Sequence, residues 1–279
     1  MKRRRFLQTS IGLGPAAIVL GATDFPGILD SNVSLFHWPF RRLPLDATDA
    51  LVEKLRSLGV ARAWAGSFEG LFHRDLASAN RRLVRECRRY PELVPIGSID
   101  PVRPGWEEDL QRCVEEHEMP GIRVHPNLHG YRLDDPCFSQ LLGRSAAANL
   151  FVQVAVTWED SRTQPESIAT SDVDIQPLPE VMAANPEARV QLLNSRLRGS
   201  QLADLARVPN LTFDTARFDS TDGVRLLIEA LGEERVLFGS HAPFLIPEAA
   251  LIRVHESALK ESALLALFHH NAQRFLAGS

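Results

Sequence analysis

Val236-Leu-Phe-Gly-Ser-His-Ala-Pro-Phe244 reads as a buried strand that opens abruptly into a loop, and where the strand stops it presents His241. Two earlier runs end the same way. Asp30-Ser-Asn-Val-Ser34 closes a strand-like stretch on Asn32 and Ser34, and Gly121-Ile-Arg-Val-His-Pro126 closes one on Arg123 and His125.

Working outward, short apolar runs alternate with longer amphipathic ones. Strands are expected over 28–34, 60–66, 93–99, 121–125, 150–156, 188–194, 210–215 and 235–240. Helices are expected between them, over 46–58, 74–90, 106–117, 138–148, 178–185, 201–206 and 221–231, with closing helices in 247–276. Asp46, Ser139 and Thr221 are suitable N-caps, and Gly59, Asn149 and Gly232 suitable stops. Eight β-then-α units predict a parallel sheet, and eight is the number that closes a (β/α)8 TIM-like barrel. A doubly wound open sheet is the competing architecture, but no glycine-rich phosphate turn follows the first strand. In such barrels the chemistry sits at the C-terminal ends of the strands, where His125 and His241 fall. The polar stretch 157–175, after the fifth strand, is expected to form a lid over the mouth.

The 279 residues suit one large domain, and 44% apolar with 24% charged residues is ordinary globular composition. A net charge of -4 with no basic stripe past residue 5 gives no case for nucleic acid. Lys2-Arg-Arg-Arg5 before Phe6-Leu7, followed by the apolar run 11–22, resembles a twin-arginine export signal. That run is too short to span a bilayer. The chain therefore divides into a signal and linker over 1–27 and a single barrel over 28–279, in an exported protein, the alternative being a cytoplasmic one. Cys87, Cys113 and Cys137 are too sparse for a disulfide framework, and Cys87 and Cys113, in helix-like segments, read as core fillers.

Taken in order, several pieces resemble the amidohydrolase-related family of amidohydrolase 2 type. They are 28–34, Gly121–Pro126 with Gly130-Tyr-Arg-Leu-Asp-Asp-Pro136, Leu150-Phe-Val-Gln-Val-Ala155, Arg189-Val-Gln-Leu-Leu-Asn194, Asn210-Leu-Thr-Phe-Asp-Thr215, Leu237-Phe-Gly-Ser240 and His270-Asn-Ala-Gln-Arg-Phe275. The resemblance implies a metal-dependent hydrolase or decarboxylase built on a barrel. It also implies first-strand metal histidines where this chain has Asn32 and Ser34, later ones near Ala155 and at Asn194, and an Asp where it has His241. A zinc site of the usual kind is therefore not expected, since amides and hydroxyls hold such a metal poorly.

The expected site uses His125 and His241 as catalytic groups, with Asn32, Arg41, Arg123 and Asn194 binding a small-molecule substrate. One divalent metal, weakly bound or absent, would take His125, His241 and Asp214. His37 and His129 read as structural residues, Trp38-Pro-Phe40 with Arg41-Arg42 as either a pocket wall or an aromatic staple, and Glu159, Asp160 and Arg162 as a solvated cluster on the lid. The functional expectation is C–N or C–O hydrolysis or decarboxylation through a remodelled strand-end site. The alternative is a catalytically degenerate barrel serving as a binding or interaction module. Mass spectrometry of the protein made in its own host should show the N-terminal segment removed. An intact Met1 in a cytoplasmic fraction would refute export.

Overall fold

A computed structural model describes residues 25–160, 162–197 and 199–278. The export signal expected over 1–27 lies outside the described residues except for 25–27. Nine strand segments follow one another: β1 Ile28–Leu35, β2 Val60–Ser67, β3 Leu93–Pro95, β4 Gly97–Ser98, β5 Gly121–Val124, β6 Phe151–Ala155, β7 Val190–Leu193, β8 Leu211–Asp214 and β9 Val236–Leu237. All pairings are parallel, in the orders β1-β2-β3 and β4-β5-β6-β7-β8-β9.

β3 and β4 are two pieces of one course. Between them Ile96 donates its N–H to Ala65 O at 2.9 Å, which keeps the course against β2. Beyond β9 the chain bonds back to β1: Ser31 N–H to Phe238 O, His241 N–H to Asn32 O and Ser34 N–H to Ala242 O, each at 2.9 Å. The fold is a TIM-like α/β barrel. β9 is shorter than the 235–240 expected, because past Leu237 the strand meets β1 through isolated bonds rather than a regular ladder.

Local chemistry explains the elements. Strands of a parallel sheet are covered on both faces, so their sequences run apolar without alternation, as Phe151-Val-Gln-Val-Ala155 does. The helices bury one stripe each, such as Leu76, Ala79, Leu83, Val84 and Cys87. Gly59, Asn149 and Gly232 take left-handed angles (φ 85°, 56° and 95°) just past helix ends, as expected of stops.

The expected caps are corrected. Asp46 does not cap the helix Thr48–Ser57, because its carboxylate is taken by Arg42 and His37. Ser139 lies inside the helix Pro136–Ala147, and Asp222 rather than Thr221 precedes Gly223–Leu231. Asp75 supplies a true cap, accepting from Ser78 N–H at 2.9 Å.

The interior is layered. Toward the N-terminal ends of the strands Trp64, Phe151, Leu29, Ile96 and Leu237 form an apolar plug closed by Phe275. The Trp64 and Phe151 rings are 4.8 Å apart, and Phe151 and Phe275 5.2 Å. Gly121 completes it, since a Cβ there would lie 2.5 Å from the Phe151 ring. Above the plug comes a polar belt, then the strand-end site, then an aromatic cap. No helix among the described residues is long and apolar enough to cross a membrane. Phe151→Ala should cost about 3–5 kcal/mol in urea unfolding with little change in m-value. A loss under about 1 kcal/mol would mean that the plug does not hold the barrel.

Candidate functional site

The polar belt is built on Arg123, Gln153, Gln191 and Ser31, all buried. Arg123 donates from Nε to Gln153 Oε1 at 2.9 Å and from Nη1 to Val33 O at 3.1 Å and Ser34 Oγ at 3.2 Å. Gln153 donates to Ser31 O and Gln191 Oε1, and Gln191 to Ser31 Oγ, each at 2.8 Å. Four strands, β1, β5, β6 and β7, are thereby pinned to one another. Gly66 makes room for the guanidinium, since a Cβ there would meet Arg123 Nη1 at 2.6 Å.

On the belt stand Asn32, Asn194, Asp214, His125 and His241. Asn32 Nδ2 donates to Asn194 Oδ1 at 2.8 Å and to Asp214 Oδ2 at 2.6 Å, and Asn194 N–H donates to Asp214 Oδ1 at 2.9 Å. Gly239 leaves space for this trio, because a Cβ there would come within 2.9 Å of Asp214 Cβ and 3.1 Å of Asn32 Cβ. Asn194 and His241 both hold left-handed backbones, φ 58° and 56°. For residues other than glycine this costs on the order of 1 kcal/mol or more and is found at functional sites. His241 Nε2 lies 2.9 Å from Trp158 O, so this nitrogen carries the proton and Nδ1 keeps its lone pair. The ring stacks on Phe244 at 5.2 Å.

Burial dominates the acid–base character of the site. It lowers the His241 pKa to about 4 and takes His125 well below the ordinary range, with the charge on Arg123 pushing both the same way. Both histidines are therefore neutral at neutral pH. Burial raises Asp30 to about 6 and Asp214 to about 7, against the hydrogen bonds they accept, and lowers Arg123 to about 10.

Asn32, Arg123, His125, Asn194 and His241 share one small cavity of about 10 Å³, room for one water molecule. The expected catalytic pair and three of the four expected binding residues are thus gathered. Arg41 is not with them. It sits on the mouth side, bonded to Glu159 and 5.7 Å over the Phe244 ring. The expected metal set of His125, His241 and Asp214 does not form a ligand group. Among the described residues no three His, Cys, Asp or Glu side chains are placed to hold a metal ion. The reason is visible at Asp214, whose two oxygens already accept from the Asn32 and Asn194 N–H groups.

Above the cavity Trp38, Phe68, Leu71 and Trp158 form an aromatic cap, with Trp38 4.8 Å from Trp158 and 4.9 Å from Phe244. Trp38 does act as a staple, but Trp158 at the start of the lid has no counterpart in the sequence expectations. Glu159, expected in a solvated cluster, is buried against Arg41. His37 pairs with Asp46 at 3.2 Å, and His129 faces Asp100 at 3.8 Å. The cysteines are free, and burial raises the Cys87 and Cys113 thiols to about 12, as fits core fillers.

The Asp214 shift fixes a sign. Its folded pKa lies above the ordinary 3.8, so its contribution to stability is fully present below that value and is lost as pH rises through about 7. Relative to Asp214→Asn, the wild type should lose up to about 4 kcal/mol between about pH 4 and pH 7, measured by urea unfolding at stepped pH. A difference constant over that range would show that the carboxyl ionises alike in folded and unfolded chains.

Comparison with known proteins agrees with this architecture. The amidohydrolase family model matches residues 36–277. Among solved structures, 5-carboxyvanillate decarboxylase from Sphingomonas paucimobilis superposes with a TM-score of 0.72 at 14% identity, over 90% of this chain and 99% of that one. 2,6-Dihydroxybenzoate decarboxylase from Rhizobium gives 0.70 at 14%, over 90% and 98%. Amidohydrolase 2 from Bifidobacterium longum subsp. infantis gives 0.62 at 18%, over 90% and 100%. No curated protein matches the sequence. With the family model spanning nearly all of the barrel, the chain belongs to the amidohydrolase family, of amidohydrolase 2 type.

Proposed function

We propose that the protein is a hydrolase or decarboxylase of small molecules that works through a remodelled strand-end site. His241 and His125 handle protons, Arg123 holds negative charge, and Asn32 and Asn194 orient the reacting group. The observation that carries this reading is a set of buried polar atoms without partners at one cavity: both ring nitrogens of His125, Nδ1 of His241 and Nη2 of Arg123. Each such atom costs about 1–3 kcal/mol, a cost that a bound polar group would remove. The similar structures include enzymes that decarboxylate 5-carboxyvanillate and 2,6-dihydroxybenzoate, which supports the class of reaction. We also read the bonds between β1 and residues 238–242 as closing eight strand courses into a (β/α)8 barrel, and residues 1–27 as the signal that exports it.

The family implies a metal that activates water, and the donors here fit one poorly. Asn32 turns an amide N–H toward Asp214 where a cation would sit, and Ala155 in the cavity wall offers no donor. In a metal-free reaction the free lone pair at His241 Nδ1 accepts the proton of an attacking water. Arg123 Nη2 stabilises the oxygen that becomes negative.

A second reading, a catalytically degenerate barrel that binds a small molecule, is favoured by one observation. The cavity has room for no more than about one water molecule beneath the aromatic cap, so any substrate must displace Trp158 and its neighbours. Turnover separates the two. Chelator-treated protein offered hydroxybenzoates and small amides should release carbon dioxide or acid. His241→Ala and His125→Ala should each lower kcat by about 10²–10⁴-fold. Because the base form of His241 is lost as pH falls through about 4, kcat/KM should fall there too. Equal rates for wild type and the double alanine variant, or none across the set, would leave the binding module as the correct reading.

A further inference from the structure

The barrel mouth carries a feature that the strand-end chemistry does not use. Two cavities, of about 280 and 340 Å³, open there on the outer side of the cap, and Arg196, Arg217 and Asp219 line both. Arg217 is the unusual member. Its side chain is only 6% exposed, and its sole charged contact among the described residues is Asp160 Oδ2 at 3.8 Å, beyond hydrogen-bond reach. Arg196 reaches the same oxygen at 3.4 Å. Asp160 spends its best geometry on Arg162, which it takes through both oxygens at 2.9 and 3.0 Å.

The remaining acids are already engaged. Asp219 pairs with Arg253, and Glu159 with Arg41. Five guanidiniums thus meet three carboxylates, and the surplus positive charge falls on Arg196 and Arg217. A buried guanidinium without a bonded acceptor is costly, and the acceptor that fits its fork best is a carboxylate. Asp160 demonstrates the fit, since a carboxylate of the chain itself already lies among the arginines, at the long limit of a hydrogen bond from Arg196 and out of reach of Arg217.

We propose that Arg196 and Arg217 form an anion site at the barrel mouth that takes the carboxylate of a small organic acid. Phe218 and Leu197 on one side, and Trp158 and Phe244 on the other, supply apolar walls for the body of such a molecule. Asp160 is its internal competitor. The site goes beyond the reaction proposed above, because binding at the mouth is measured without turnover.

The test is calorimetric titration with benzoate at low ionic strength. The wild type should bind it. Arg217→Gln and Arg196→Gln should each weaken binding by about tenfold or more, the loss of one charge-assisted bond. Asp160→Asn should tighten it, because the competing carboxylate is gone. Added sodium chloride should weaken it. Arg217→Lys, which keeps a cation in the buried position, should recover part of the affinity, and Arg196→Gln decides the matter if Arg217→Gln does not fold.

Affinity unchanged by Arg196→Gln and Arg217→Lys would overturn the proposal, as would weaker binding in Asp160→Asn or none to the wild type. Loss of binding in His241→Ala with Arg196→Gln unaffected would place benzoate in the strand-end cavity and overturn it too. Inorganic phosphate bound more tightly than benzoate through the same arginines would overturn the carboxylate assignment.

Discussion

One buried cation governs the interior of this barrel. Among the described residues Arg123 has no carboxylate in contact; it bonds instead to a glutamine, a carbonyl and a hydroxyl. Isolating a charge in this way is costly unless the surroundings compensate it. Here the compensation comes from Asp30 and Asp214, whose negative forms favour the charged guanidinium without touching it. The belt that solvates Arg123 also sets the spacing of β1, β5, β6 and β7, so the charge and the register of the strands are held by the same bonds. Gly66 is part of this arrangement through the side chain it lacks.

The histidines inherit their state from that cation and from burial. His125 loses its charge first through burial, and the positive charge of Arg123 acts in the same direction. His241 is held by its backbone bond to Asn32, its ring on Phe244 and its Nε2 against the Trp158 carbonyl. Its lone pair at Nδ1 is thus aimed by contacts from three separate parts of the chain. The left-handed turn at 241 is held by tertiary contacts on both sides, so the ring orientation does not depend on local sequence alone.

Legibility followed the range of the interactions. Strand and helix order, and the stops at Gly59, Asn149 and Gly232, depend on local periodicity and backbone freedom, and the sequence carries both. The convergence of Asn32, Arg123, His125, Asn194 and His241 was legible because a barrel maps every strand end to one face. What escaped was non-local. Asp46 had the right chemistry for a cap but found Arg42 and His37 instead. Glu159 met Arg41 118 positions away, and no local pattern announces that. Gln153 and Gln191 did leave a signal, a polar residue centred in an apolar buried strand, which calls for a partner inside the barrel. Trp158 left none, because a single aromatic residue after a strand is compatible with any surface loop.

The relation between the cap and the acid–base groups bears on the reaction proposed for the site. As a proposed base, His241 with a pKa near 4 is a poor match to neutral pH, since proton transfer is most effective when the pKa lies near the working pH. Its value is depressed by burial and by Arg123, and an anion beside Arg123 would reverse the second cause. A substrate carboxylate or a developing oxyanion at Arg123 Nη2 would satisfy that donor and screen its charge. It would also raise the pKa of His125 and His241 back toward the ordinary imidazole range, since a nearby negative charge favours the protonated imidazole. The same event would displace Trp158 and admit solvent to the rings, which relieves the first cause as well. A neutral ligand of equal size would do neither at Arg123. On this argument an anion and a neutral ligand beside Arg123 would leave the two histidines with different affinities for a proton.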